Sequence, residues 1–140
     1  MERGILRTFK PDGTPVEVYD AEAVTKAEFT TFNTYSTDEV DTGKKWTDGK
    51  TIYRKVVDTG ALPDTSTKTI AHNIENIDKI VQLYGTTYNA SLTAPIPYPS
   101  TTVAATIILT CSKTSINITT GSNQTALTNS TIILHYTKTS

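Results

Sequence analysis

Cysteine and histidine, the side chains that most often act as nucleophiles, general bases and metal ligands, are scarce in this 140-residue sequence. Cys111 is the only cysteine, and the only histidines, His72 and His135, each lie inside a predicted strand. No serine or cysteine nucleophile motif accompanies either histidine, and no glycine-rich phosphate loop or HExxH motif occurs. A histidine inside a strand is more often packed than catalytic. We therefore expect a protein that is not an enzyme and that carries no cofactor.

Metal binding depends on two sets of residues. His72 and His135 would hold a metal ion only if they met across the axis of a trimer, and the sequence leaves open whether either lies near such an axis. Asp38, Glu39 and Asp41 stand close together, but they lack the spaced aspartates of a calcium-binding loop. A solvated turn accounts for them better. The sequence therefore predicts no metal site.

The composition favours a strand-rich protein with one uncharged half. Threonine supplies 29 residues and serine 9, and β-branched threonine prefers a pleated, half-exposed surface. All 14 acidic residues lie at or before Asp78, and after Lys79 only Lys113 and Lys138 carry charge. A net charge of −1 provides no basic field for nucleic acid, and no run approaches the roughly 20 apolar residues of a membrane-inserted helix. A neutral half that forms strands favours either association with other copies of the chain or a single sandwich whose outer faces are rich in threonine, and the two are compatible.

Residues 1–34 form a separate lead-in segment. Two short strand-like runs, 5–9 and 16–19, flank a Pro-Asp-Gly turn at 11–13. Asp20 is of a type that caps the N-terminus of a helix, and a weak apolar spacing after it predicts a short helical segment. The position of this segment indicates a role in attachment.

Residues 35–140 show the alternation of an antiparallel β-sandwich. An Asp-Gly pair at 48–49 predicts a hairpin, with one strand before it. Polar or proline-rich segments separate the others, including 85–100, predicted to be a loop that begins where a strand ends at Gly85, and 121–129. The remaining predicted strands cover residues 51–57, 67–74, 77–84, 103–111, 115–119 and 131–138. About seven strands at this spacing predict an all-β fold.

Aromatic side chains are the best candidates for ligand binding. Tyr84, Tyr88 and Tyr98 surround the proline-rich loop, and exposed tyrosines on loops stack on sugar rings or anchor a protein partner. Trp46 and Tyr53 flank the Asp-Gly turn. We favour for them a cross-strand pair that stabilises the hairpin, with ligand binding as the alternative.

Several segments together resemble a module that recurs in fibre and appendage proteins of tailed bacteriophages. The first two are Tyr-Ser-Thr-Asp-Glu at 35–39 and Trp-Thr-Asp-Gly-Lys-Thr-Ile-Tyr-Arg-Lys at 46–55. The others follow in the expected order at 60–63, 67–74, 76–80, 95–98, 116–121 and 136–139.

The resemblance implies a non-enzymatic virion component, usually a homotrimer. We expect a head fibre or a small tail or baseplate fibre that is assembled in the cytoplasm of the bacterial host. Residues 1–34 would attach it to a capsid or tail protein, and the tyrosines would adhere to a host cell-surface glycan. The alternative is a capsid-decorating or stabilising protein that has no ligand of its own.

Overall fold

The computed structural model describes residues 5–9, 15–19 and 34–139. The backbone divides into two units, 1–33 and 34–140. In the first unit, strand β1 (Ile5–Phe9) pairs antiparallel with β2 (Pro15–Tyr19). The two predicted N-terminal strands are therefore confirmed. The predicted turn at 11–13 and the helix expected after Asp20 lie outside the described residues.

The second unit is an antiparallel β-sandwich, as the sequence predicts. Its five-stranded sheet has the order β3-β4-β10-β6-β7, and its three-stranded sheet has the order β5-β9-β8. Residues 34–139 thus contain eight strands where about seven are predicted. Their bounds are β3 Val40–Lys45, β4 Thr51–Asp58, β5 Thr67–Ala71, β6 Ile77–Tyr88, β7 Thr93–Ile96, β8 Ile107–Cys111, β9 Ser115–Thr120 and β10 Asn129–Lys138.

The hydrophobic core lies between the two sheets because alternate side chains of a strand point to the same face. In the five-stranded sheet, β10 contributes Ile132, Leu134 and Tyr136 to the core, all without solvent exposure. Ile116 and Ile118 of β9 contribute from the three-stranded sheet and are equally buried. The alternating apolar residues of the sequence therefore identify the inward faces of both central strands.

Strand β6 is longer than predicted, because it continues through Gly85 to Tyr88. A Cβ atom at position 85 would collide with the carbonyl oxygen of Thr131 on the neighbouring strand and lie 2.7 Å from Cδ1 of Ile132. Glycine therefore permits a close approach of two strands here and does not end one.

The proline-rich segment is only partly a loop. Thr93–Ile96 forms β7, in which Pro95 pairs with Thr86 of β6. β7 is an edge strand, so the missing N–H of Pro95 costs no hydrogen bond inside the sheet. The predicted loop over 85–100 is thus wrong for residues 85–88, which belong to β6, and for residues 93–96, which form β7.

Two further predicted strands are too long. The 103–111 strand begins with a 3-10 turn at Val103–Ala105, in which the Thr106 N–H donates to the carbonyl of Val103, and β8 starts only at Ile107. The 67–74 strand ends at Ala71 because Asn73 adopts a φ of 55°, outside the extended region.

Candidate binding cleft

A cleft of about 350 Å³ opens where β7 of one sheet approaches β8 of the other. The chain crosses between the sheets at this point, since Tyr98 exchanges two backbone hydrogen bonds of 3.0 Å with Ile107 at the start of β8. The 121–128 segment forms the facing wall, and the N–H of Leu127 donates to the carbonyl of Gln124 at 2.9 Å. Three segments, 92–98, 105–107 and 124–127, thus position the side chains of the cleft.

The walls of the cleft are mainly aliphatic. Leu127 and Ile107 are buried at its inner side, whereas Leu92 at its mouth is 55% exposed. Ala94 and Pro95 of β7 complete this surface. An apolar pocket with an exposed leucine at its rim is typical of a site that takes an uncharged ligand.

Tyr98 and Gln124 supply polar groups to the cleft. The Tyr98 side chain is 40% exposed, so its ring and hydroxyl are accessible from solvent. The amide nitrogen of Gln124 donates to the Ser122 hydroxyl at 3.1 Å. That bond fixes the orientation of the amide and leaves its oxygen as the group that can accept a hydrogen bond from a ligand.

Charged side chains gather at the opposite end of the five-stranded sheet. β6 and β10 run antiparallel, with Tyr88 beside Asn129 at the cleft end and Ile77 beside Lys138 at the other. The ion pairs within residues 34–139 lie at that other end, with N–O distances of 2.8 Å for Lys50–Asp78, 2.9 Å for Lys79–Asp48, 3.2 Å for Lys79–Asp78 and 2.7 Å for Lys138–Glu39. Hydrogen bonds from Lys50 and Lys79 lower the pKa of Asp78 to about 2. The ion pairs of the described unit therefore cluster at the end of the sheet away from the cleft.

The structure separates the three tyrosines that the sequence groups together. Only Tyr98 lines the cleft. Tyr84 lies on the outer face of the five-stranded sheet, where its hydroxyl is 3.1 Å from Nε2 of His135, and burial together with a hydrogen bond to Tyr35 raises its pKa to about 12. Tyr88, 43% exposed, ends β6 on the same face. A ligand role for any of them stays a prediction.

Trp46 and Tyr53 do not form the predicted cross-strand pair. The register places Asp41 opposite Tyr53, and Trp46 lies in the turn, where its N–H donates to the carbonyl of Lys50 at 2.9 Å. The Tyr53 ring instead stacks on that of Tyr136, with centroids 6.1 Å apart. The predicted pairing is wrong because Lys45 pairs with Thr51, so Trp46 lies beyond the last ladder pair and does not face Tyr53.

His72 has a structural position. It is buried, its Nδ1 accepts the N–H of Ile74 at 3.1 Å, and its Nε2 lies 3.1 Å from the carbonyl oxygen of Ser112. Because Nδ1 accepts, Nε2 must carry the proton of the neutral ring and donate to that carbonyl. His72 thus links the segment after β5 to the turn between β8 and β9.

No group of three or more metal-ligating side chains occurs within the part of the chain that the structure describes. Of the acidic cluster, Glu39 accepts hydrogen bonds from Tyr136 and Lys138, and Asp41 accepts the N–H of Gly43 at 2.8 Å.

Burial raises the pKa of Cys111 to about 11, so its thiol is a poor nucleophile at neutral pH.

Sequence reasoning missed most of the cleft. Gln124 and Leu127 belong to a segment that reads as a polar loop, and Leu92 to a proline-rich one. Isolated leucines in such polar segments are the one local signal that these loops pack against something.

Comparisons with protein-family models, with curated proteins and with solved structures found no match. Within the described residues, no helix has the length and apolar character needed to cross a membrane. The fold and the cleft are therefore the basis for a functional conclusion.

Proposed function

We propose that this protein is a structural virion appendage, a head fibre or a small tail or baseplate fibre, that adheres to a glycan on the host cell surface. The observation that supports adhesion is the open, uncharged cleft, which contains the exposed ring of Tyr98. Glycan sites commonly combine an aromatic ring with a few polar groups on an apolar wall. No catalytic step is part of this proposal.

Self-association into a homotrimer is the second element of the proposal. The outer face of the three-stranded sheet carries hydroxyl and amide groups that bond to one another, as in the 2.7 Å contacts Thr67–Thr119 and Thr69–Asn117. Ile108 on the same face is 49% exposed. Copies can pack on such a surface without burying an unpaired charge.

A trimer also explains why one small cleft in each chain is sufficient for adhesion. Clefts grouped around one axis bind a repetitive polysaccharide with an avidity well above the affinity of each site. In this scheme residues 1–34 attach the protein to a capsid or tail protein, the particle is assembled in the host cytoplasm, and the mature location is the virion.

Adhesion is tested with the full chain, fluorescently labelled, on a panel of bacterial strains. We expect Tyr98→Ala to lower binding at least fivefold with an unchanged thermal melt. Tyr88→Ala is measured beside it, because Tyr88 is equally exposed but lies outside the cleft, and a loss of binding confined to the Tyr98 variant assigns adhesion to the cleft. Equal binding of the Tyr98 variant and the wild type would exclude the cleft as the adhesive site.

The oligomeric state is tested by light scattering after size exclusion. A trimer has about 46 kDa, three times the 15.3 kDa of one chain. A monomer at tens of micromolar would remove the avidity argument.

If the protein binds no strain, and deletion of residues 1–34 abolishes its association with virions, the capsid-decorating alternative replaces adhesion.

A further inference from the structure

We infer that the ligand of the cleft is a neutral pyranose that carries a methyl group, as an acetamido or a 6-deoxy substituent. This inference rests on the proposed function, because it specifies the chemistry of the glycan to which the protein adheres. It follows from three properties of the cleft, namely its lack of charge, its aliphatic inner wall and the positions of its polar groups.

The absence of charge excludes acidic sugars and polymer phosphates. No lysine, arginine, aspartate or glutamate lines the cleft, and the ion pairs within residues 34–139 lie at the other end of the sheet. A uronate or a phosphate that entered would lose water without gaining a counter-charge, which is strongly unfavourable. The cleft therefore favours a neutral ligand.

The inner wall favours a methyl substituent. Ile107 and Leu127 are buried there, and Ala94 and Ala105 are small side chains that leave room between the two sheets. The volume of about 350 Å³ lies near the lower limit for small-molecule sites, which suits a terminal sugar more than a long chain segment. A plain hexose would present only its ring C–H groups and hydroxyl groups to this wall, whereas a methyl substituent would bury additional apolar surface.

Three side chains that line the cleft carry polar groups. The Tyr98 ring provides a stacking face, and its hydroxyl both donates and accepts hydrogen bonds. Thr93 adds a hydroxyl on β7, and the Gln124 amide is held by its bond to Ser122. With the amide nitrogen engaged, the oxygen of Gln124 accepts from a sugar hydroxyl or from the N–H of an acetamido group.

The test is a titration of the full chain with free sugars, followed by ligand-observed NMR and by competition for cell binding. The methyl-bearing probes are N-acetylglucosamine, N-acetylgalactosamine, rhamnose and fucose, and the controls are glucose, galactose and galacturonate. We expect the preferred methyl-bearing sugar to bind at least about fourfold more tightly than its methyl-free counterpart, the factor that corresponds to one buried methyl group. Comparison of the acetamido and 6-deoxy probes identifies the substituent.

A charge introduced at the mouth gives a test that does not depend on loss of binding. Thr93→Lys places an ammonium group beside the cleft, and we expect galacturonate, which the wild type rejects, to bind this variant. Thr47→Lys is the matched control, because Thr47 is an exposed threonine in the turn between β3 and β4, outside the cleft and away from the face of the three-stranded sheet. The control variant should keep the wild-type preference.

The outcomes of these tests distinguish a failure of this inference from a failure of the proposed function. Binding of glucose and galactose as tight as that of every methyl-bearing sugar, tighter binding of galacturonate by the wild type, or binding of none of the probes overturns the inference. If any of these results occurs while the protein still binds cells, the proposal of adhesion stands and only the inference about the sugar fails. Selective binding of a methyl-bearing sugar without cell binding supports the inference and removes adhesion.

Discussion

The hydroxyl of Tyr136 donates a hydrogen bond of 2.6 Å to the carboxylate of Glu39, a residue 97 positions earlier in the chain. Tyr136 is completely buried, and its ring stacks on Tyr53. Lys138 binds the second oxygen of the same carboxylate at 2.7 Å. Burial, together with Glu39, raises the pKa of the Tyr136 hydroxyl, which therefore stays a donor at all ordinary pH values. The segment before β3 is thus fixed to the last strand of the fold.

Replacing Tyr136 by phenylalanine tests this link. We expect Tyr136→Phe to lower the free energy of unfolding by about 1.5 kcal/mol, the lower range for a hydrogen bond to a charged group, because Glu39 keeps Lys138 as a partner. Denaturant unfolding measures the change. In a double-mutant cycle, Glu39→Gln should cost less in the Tyr136→Phe background than in the wild type. Additive costs would show that the two residues are not coupled.

The parts of the fold that the sequence predicts correctly are those with local signals. Alternation over 131–138 identifies the buried face of β10, and the Asp-Gly pair identifies the β3–β4 hairpin, in which Gly49 has a φ of +84°. The role of Gly85 depends on how closely β10 approaches, and the strand position of Pro95 depends on its place at a sheet edge. Both depend on tertiary contacts, so local sequence patterns assign Gly85 to the end of a strand and Pro95 to a loop.

Gly85 allows a direct test of that close approach. A methyl group at position 85 would meet the backbone of Thr131 and the side chain of Ile132 in the middle of the five-stranded sheet. We expect Gly85→Ala to lower the free energy of unfolding by about 3 kcal/mol, since a packed sheet must move apart to admit it. Thermal and denaturant unfolding measure the loss.

Gly49→Ala is the matched control for the Gly85 variant. No atom lies within 4 Å of a Cβ built at position 49, so only the positive φ opposes the substitution. This costs about 1 kcal/mol. A Gly85 variant as stable as the Gly49 variant would contradict the close approach.

The candidate site is predictable in part for the same physical reason. Tyr98 is an aromatic residue in a proline-rich segment, which is a local signal, and the structure places it in the cleft. Gln124 and Leu127 reach the cleft only because the 121–128 segment folds back beside β7. Tyr84 shares the local signal of Tyr98, yet the strand that continues through Gly85 carries it to the outer sheet face beside His135.

His135 makes stability depend on pH in the weakly acidic range. Burial, and to a lesser degree the charges of Arg54 and Lys44, lower the pKa of His135 below its model-compound value of 6.5 in the folded state. Tyr84 bonds to the same ring. Between the folded pKa and 6.5 the unfolded chain binds more protons, so the contribution of His135 to stability falls as the pH falls through this range.

The measurement is the denaturant midpoint of the wild type and of His135→Gln from pH 7.5 to pH 5. We expect the wild type to lose stability relative to the variant as the pH decreases, because glutamine has no titrating group. Salt should reduce the difference, since part of it comes from the charges of Arg54 and Lys44. Parallel pH curves for the two proteins would show that His135 is not the group responsible.

The uncharged face of the three-stranded sheet is tested through Ile108. β8 is an edge strand, and Ile108 projects outward on it with 49% exposure, next to Thr119 of β9. We expect Ile108→Lys to convert the proposed trimer into monomers, because copies that meet on this face would bury an ammonium group without a partner. Light scattering after size exclusion measures the mass. Val103→Lys is the matched control, since Val103 is more exposed but lies in the 3-10 turn and not on the sheet. A trimer that persists in the Ile108 variant would place the interface elsewhere.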